Sequence, residues 1–275
     1  MPGAVAIVGD KTGVLYSQPI GHFTYGKPSP ANNGTNPSTT LDTKYDLASL
    51  TKVLATTTCM MILYQKNDVD LGMKVSHPDL LGTEFAQNGK EEITVMNLLL
   101  HNAGFPPDPV PAYWSAKFDS TGCEETSKLH PQLSFNCRER IYDSLLKQTL
   151  INPVGAKFVY SDLSFITAMF VVGRIARTKN YIRAFELNQT CVDGVPTDSP
   201  SIYQCYYEAF VRRYVVERLK LSSNTGFRPS PKVYSNIAPT WDDDYYRHEE
   251  VQGVVSDENS YALGGIAGHA GLFAS

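Results

Sequence analysis

A nucleophile and a base set one helical turn apart can attack a carbonyl, and Ser49-Leu50-Thr51-Lys52 supplies both. Positions i and i+3 lie on one helix face, so the Ser49 hydroxyl and the Lys52 amine can meet. A serine hydroxyl is a weak nucleophile at neutral pH until a neighbouring base takes its proton. Lysine serves as that base where burial disfavours its charged form. Leu50, Val53 and Leu54 surround the pair and Asp46 is the one carboxylate close by, so 49–66 reads as a buried central helix.

The spacing alone is a weak signal, because Ser144-Leu145-Leu146-Lys147 repeats it. A serine at such a place is most simply a helix N-cap or a surface residue. Context separates the two copies. Ser144 follows Arg138-Glu139-Arg140-Ile141-Tyr142-Asp143, an amphipathic surface helix, whereas Ser49 opens a segment rich in Ala and Thr and poor in charge.

The elements that must position this pair read as one domain over 1–275. Residues 4–8 and 14–17 form a hairpin around Asp10-Lys11-Thr12-Gly13, and 27–44 is a long loop. Thr94 caps a short helix to His101, stopped by Asn102-Ala103-Gly104-Phe105-Pro106-Pro107. The span 106–137 lacks periodicity and reads as a loop insertion, followed by a helix over 138–149. The turn Asn152-Pro153-Val154-Gly155 leads through Tyr160-Ser161-Asp162 into an apolar helix over 163–175. Residues 178–205 are irregular, 206–221 helical, and 222–262 largely loop, with Trp241-Asp242-Asp243-Asp244-Tyr245-Tyr246 read as a solvated run. The glycine-dense end, 264–273, implies close backbone packing near a site.

Composition excludes several functions. Of 275 residues, 42% are apolar and 19% charged, with a net charge of −4 and no block of Lys or Arg, which argues against a nucleic-acid partner. The most apolar run, 165–172, is too short to span a membrane. No phosphate-binding glycine fingerprint, His-Glu-x-x-His or Cys-x-x-Cys is present, so no cofactor or metal is implied, and a metal-dependent amidase lacks ligand spacing. Cys123 and Cys137, like Cys191 and Cys205, are separated by 14 positions in loop-like sequence, which suits two local disulfides. Four cysteines allow three connectivities, reduced thiols are the other reading, and Cys59 reads as a buried thiol. Sequons at Asn33 and Asn188 join the cysteines in pointing to a secreted or lumenal protein, although no secretory signal opens the sequence.

At Asp46-Leu47-Ala48-Ser49-Leu50-Thr51-Lys52 the chain resembles the nucleophile helix of the β-lactamase-related serine hydrolases, which include class C β-lactamases, D-alanyl-D-alanine carboxypeptidases and related esterases. Further stretches match in order. Residues 2–6 with the hairpin resemble the opening strands. Asn97 to Gly104 resembles the Leu-Leu-x-His-x-Ser-Gly signature, and Gly155 to Asp162 resembles Pro-Gly-x-x-Phe-x-Tyr-Ser-Asn with Val154 in place of the proline. Asp257-Glu258-Asn259 through Phe273 resembles a glycine-rich segment of a carboxypeptidase-like branch.

The resemblance implies an α/β fold of β-lactamase/transpeptidase type, an antiparallel sheet flanked by helices plus a helical region. It implies a small-molecule or peptide substrate and a second-motif tyrosine that moves protons beside Ser49 and Lys52. Tyr160 is that candidate, because it follows a glycine turn and precedes an apolar helix; Tyr234-Ser235-Asn236, the literal match, lies between prolines in a loop. Asp162 stands where the pattern has Asn, and an ionised carboxylate there accepts hydrogen bonds without donating, which would hold Lys52 charged.

The family's third motif, Lys-Thr-Gly or His-Thr-Gly, has its literal copy in Lys11-Thr12-Gly13, which reads as a hairpin turn. His269-Ala270-Gly271 is the other candidate, so Asp162 and His269 are assigned to substrate binding. The leading expectation is that the sequence stops before the motif's strand and is incomplete at its C-terminus, with His269-Ala270-Gly271 as the alternative. Without that strand one oxyanion donor is lost, worth roughly 100- to 1,000-fold in rate. The competing functional reading is a catalytically silent relative that binds or scaffolds.

Overall fold

The computed structural model describes residues 2–119, 135, 137–221 and 224–275. Strands β1 (Gly3–Asp10) and β2 (Gly13–Gly21) form the expected antiparallel hairpin, pairing Gly3 with Gly21 at one end and Asp10 with Gly13 at the turn, with a register shift between Val8 and Gly9. The Asp10 carboxylate accepts the Thr12 N–H at 2.7 Å and closes the turn. Ile7, Val8, Val14, Leu15, Tyr16 and Ile20 all stand exposed on this ribbon.

The nucleophile segment is held by a second, smaller sheet. In it β3 (Tyr45–Asp46) and β4 (Gly226–Phe227) flank β7 (Leu272–Ala274), all antiparallel. Leu47 N–H donates to Leu272 C=O at 2.9 Å, and Leu272 N–H donates to Thr51 Oγ1 at 3.1 Å, so β7 is tied to both sides of Ser49. β5 (Asp242–Asp243) and β6 (Glu249–Glu250) make a third antiparallel pair.

Past Ser49 the chain enters a π-helical segment, Lys52–Thr57, and then α1 (Thr58–Gln65). The expected helix is therefore present, with a widened first half. Thr57 and Thr58 hydroxyls donate to the carbonyls of Lys52 and Val53, five residues back, at 2.8 and 3.0 Å. Such π-segments recur at functional sites. The helix is not buried all round: Lys52, Ala55, Thr56, Cys59, Met60 and Leu63 face the core, while Leu50, Val53 and Leu54 are exposed. The environment expected to desolvate Lys52 is thus corrected, because its apolar sequence neighbours occupy the opposite helix face.

Then follow α2 (Val95–Leu99), α3 (Ala116–Asp119), α4 (Arg138–Lys147), α5 (Asp162–Thr178), α6 (Gln189–Val192), α7 (Tyr203–Val211) and α8 (Glu258–Ala262). Thr94 caps α2 as expected, reciprocally with Asn97. α4 buries Ile141, Tyr142 and Leu145 on one face, and Ser144 Oγ accepts from Gln148 Nε2 at 3.1 Å. α5 runs through the main core and α7 packs against it where Gly173 faces Tyr203; a Cβ there would sit 1.9 Å from the Tyr203 carbonyl oxygen. α7 starts three residues before the expected 206 and passes into a second π-segment, Arg212–Val216.

Two further expectations are settled or corrected. Cys191 and Cys205 are disulfide-bonded, with the buried Arg138 guanidinium donating to the Cys191 carbonyl and lying 3.3 Å from Cys205 Sγ. Cys123 lies outside the described residues, as does half of the expected 106–137 insertion, whose described part includes α3. The run at 241–246 is not wholly solvated: Asp243 is fully buried and takes Arg247 Nε at 2.6 Å, an (i, i+4) partner that lets a carboxylate enter the interior. Among the described residues no helix is long and apolar enough to cross a membrane.

Candidate active site

Ser49 sits exposed in the turn between β3 and the π-helical segment. The turn is shaped by Asp46, whose carboxylate accepts Ala48 N–H at 2.8 Å and Ser256 N–H at 2.6 Å, while Ala48 takes a left-handed φ of 45°. Burial raises the Asp46 carboxyl, and those two amides oppose the rise. Asp46 is therefore engaged with main chain. The serine N–H lies at the head of a helix, where such groups lack intrahelical partners.

Lys52, 3% exposed, reaches back to Ser49 Oγ at 2.9 Å. The same ammonium lies 2.7 Å from Asp162 Oδ1 and 3.2 Å from the His269 carbonyl oxygen. An ammonium has three hydrogens, and three acceptors surround this one. Tyr160, 47% exposed, places its ring face beside them, with Lys52 Nζ 4.7 Å from the ring centroid. Ser49, Lys52, Tyr160 and Asp162 are thus brought together from the head of the nucleophile helix and the head of α5.

His269 arrives by its main chain. Its ring is fully buried and meets Asp257 Oδ1 at 2.8 Å through Nε2. Burial disfavours the imidazolium, but Asp257 and Asp162 outweigh it and raise the His269 pKa. For Asp257 burial pushes upward, and His269 with the Ser260 N–H overcomes that and holds the carboxyl at about 2. Burial raises the nearby Asp108 carboxyl, and the charges of Asp162 and Asp257 add to the rise. Asp162, Asp257 and His269 place ligand-type atoms within 4.8 Å of one another. The Lys52–Asp162 and His269–Asp257 pairs account for that cluster as alternating charge.

The glycine-dense segment allows this approach. A Cβ on Gly268 would lie 2.1 Å from the Phe165 carbonyl oxygen of α5. Thr56 Oγ1 donates to Gly268 C=O at 2.7 Å and contacts the Tyr207 hydroxyl at 2.8 Å, tying segment, helix and α7 together. Tyr234 instead packs in a separate small core with Ile237, Val255, Tyr261, Ala270 and Phe273.

His101 and Asp257 fall within the matched stretches of sequence, where nothing gives either a role. The His101 ring packs against Tyr160, tilted by 36° with ring centroids 4.5 Å apart, and its Nδ1 accepts the Ser161 N–H at 3.0 Å. The signal for both was their place in the matched stretches, at the histidine of Leu-Leu-x-His and the aspartate preceding Glu258-Asn259.

A Ser-x-x-Lys pair at the head of a buried-face helix, between a small antiparallel sheet and a helical core, is the β-lactamase/transpeptidase-like arrangement, and that is the fold of this molecule. The chain belongs to the beta-lactamase family, whose model matches residues 1–188. It is 26% identical over 245 residues to a Salmonella schwarzengrund (strain CVM19633) protein provisionally named a D-alanyl-D-alanine carboxypeptidase, covering 85% of this chain and 48% of that protein. The chain thus spans about half the length of the curated relatives it matches, 48%. A β-lactamase/D-alanine carboxypeptidase from Yersinia pestis complexed with citrate shares the fold at a TM-score of 0.57 and 17% identity, over 99% of this chain and 59% of its own. A class C β-lactamase from Rhodobacter sphaeroides does so at 0.58 and 14%, over 100% of this chain and 57% of its own.

Proposed function

We propose that this chain is a serine hydrolase that opens an ester or amide carbonyl through an acyl-enzyme on Ser49. The 2.9 Å contact between Lys52 Nζ and Ser49 Oγ carries the reading. Lys52, which donates to Ser49 Oγ and to the His269 carbonyl and lies 2.7 Å from the Asp162 carboxylate, orients Ser49 Oγ and compensates negative charge as it develops. Tyr160, acting as a phenolate beside that cation, takes the serine proton as the carbonyl is attacked and passes it to the leaving group as the acyl–serine bond forms and the scissile bond breaks. Water then attacks the acyl carbonyl and gives a proton to Tyr160, which passes it to Ser49 Oγ as the acid leaves, restoring both groups.

Asp162 and His269 enter this reading by holding Lys52, since the His269 ring is fully buried and the Asp162 carboxylate faces the ammonium. A β-lactam, a D-alanyl peptide or a small ester fits the chemistry, and the names borne by the relatives support that range. The Cys191–Cys205 disulfide and the exposed Asn33 and Asn188 sequons support a secreted or lumenal glycoprotein.

Turnover of an activated p-nitrophenyl ester and of a chromogenic β-lactam tests the reading. Ser49→Ala and Tyr160→Phe are each expected to lower the rate roughly 100-fold or more. An unchanged rate in Ser49→Ala contradicts it.

A further inference from the structure

We propose that His101 is the positioning residue for Tyr160, gripping the chain on both sides of the tyrosine while its ring backs the phenol. The role assigned to Tyr160 in proton transfer rests on the hydrolase reading; the grip itself does not.

The grip has two jaws. His101 C=O accepts the Val159 N–H at 2.8 Å, and His101 Nδ1 accepts the Ser161 N–H at 3.0 Å, so the residues before and after Tyr160 are fixed by one histidine. The neighbouring chain extends the hold: Ser161 Oγ donates to Pro106 C=O at 2.6 Å and Asp162 N–H to Pro107 C=O at 2.8 Å. Between the jaws, the imidazole packs on Tyr160 at 4.5 Å, on Phe165 at 5.0 Å and edge-on to Phe158 at 5.9 Å between centroids. His101 achieves this with a left-handed backbone, φ 54°, which few non-glycine residues adopt and which aims carbonyl and ring at the same strand of chain.

The second jaw works in one protonation state. Nδ1 accepts a hydrogen bond as a lone pair in the neutral ring, with the proton on Nε2. The charges that act on this ring are Lys52 and Asp162; Tyr160, Phe158 and Phe165 complete its packing. Burial and then Lys52 lower the His101 pKa, and Asp162 opposes them in part. Protonation removes the acceptor for Ser161 and sets a second cation near Lys52. The grip is closed at neutral pH and opens as pH falls below the ordinary imidazole range.

The test needs no mutation to begin. In the unaltered chain, ¹⁵N NMR is expected to show His101 as the Nε2–H tautomer. Hydrogen exchange of the Ser161 amide, normalised to intrinsic exchange, is expected to accelerate about tenfold as His101 protonates. His101→Ala should accelerate it about as much at neutral pH and slow acylation of Ser49. His101→Asn, which tolerates a left-handed backbone and offers an amide oxygen to Ser161, should restore protection and remove its dependence on acid. An Nδ1–H tautomer, or Ser161 exchange indifferent to titration and to both substitutions, overturns the proposal. If exchange behaves as expected and the unaltered chain is never acylated, the grip stands and the hydrolase reading falls. If acylation proceeds while exchange is indifferent, the reverse holds.

Discussion

Lys52 takes its position from three separate stretches: the turn that carries Ser49, the head of α5 at Asp162, and the glycine-dense segment at His269. Behind it, Asp257 and His269 form a second charge pair whose effect on stability has a calculable pH dependence. Asp257, lowered from 3.8 to about 2, contributes stability present above 3.8 and lost as pH falls through 2. His269, raised from 6.5, contributes stability present below 6.5 and lost as pH rises through its elevated value. Both contributions are complete between 3.8 and 6.5. Asp257→Asn is expected to cost about 3 kcal/mol in that window, because a buried imidazolium loses its carboxylate. Urea unfolding across pH checks this; an unchanged stability profile contradicts the pairing. At this scale the sequence exposed Ser49, Lys52, Tyr160 and Asp162, because one helical turn and one ordered match bring them together. The Asp257–His269 pair spans 12 residues through a glycine turn and has no periodic signature, so it stayed hidden.

Among the elements, those with a local cause were legible. The α2 cap follows from Thr94 and Asn97, α4 from its amphipathic pattern, and α5 from an apolar run long enough to cross the core. Elements set by tertiary contact were not. β3, β4 and β7 are two or three residues long and exist because distant segments meet. The π-segment at Lys52–Thr57 depends on threonine hydroxyls bonding five residues back, which helical spacing rules do not anticipate. The exposure of Leu50, Val53 and Leu54 likewise depends on which helix face the core takes. Close packing of α5 on α7 yields a direct test. Gly173→Ala drives a Cβ into the Tyr203 carbonyl and is expected to cost about 3 kcal/mol, read from chemical denaturation. A loss below about 0.5 kcal/mol, typical of an unconstrained surface site, contradicts that packing.

Over the whole molecule, the composition predicted a globular chain, and the main core delivers it around α5 and α7. The hairpin departs from that picture. Its apolar residues stand in solvent, which the apolar runs at 4–8 and 14–17 did not reveal. The Cys191–Cys205 bridge closes 14 positions of chain, and the Cys191→Ser/Cys205→Ser double variant is expected to lose about 3 kcal/mol. Unfolding midpoints with and without the bridge measure this; equal stability contradicts a structural role for it.

Intact mass and peptide mapping, after mixing the chain with a β-lactam or activated ester, test whether Ser49 is the nucleophile. One acyl adduct is expected on the peptide carrying Ser49, none on Ser49→Ala, and an undiminished adduct on Ser144→Ala. An adduct of equal extent on Ser49→Ala, or one mapped to Ser144, contradicts that role.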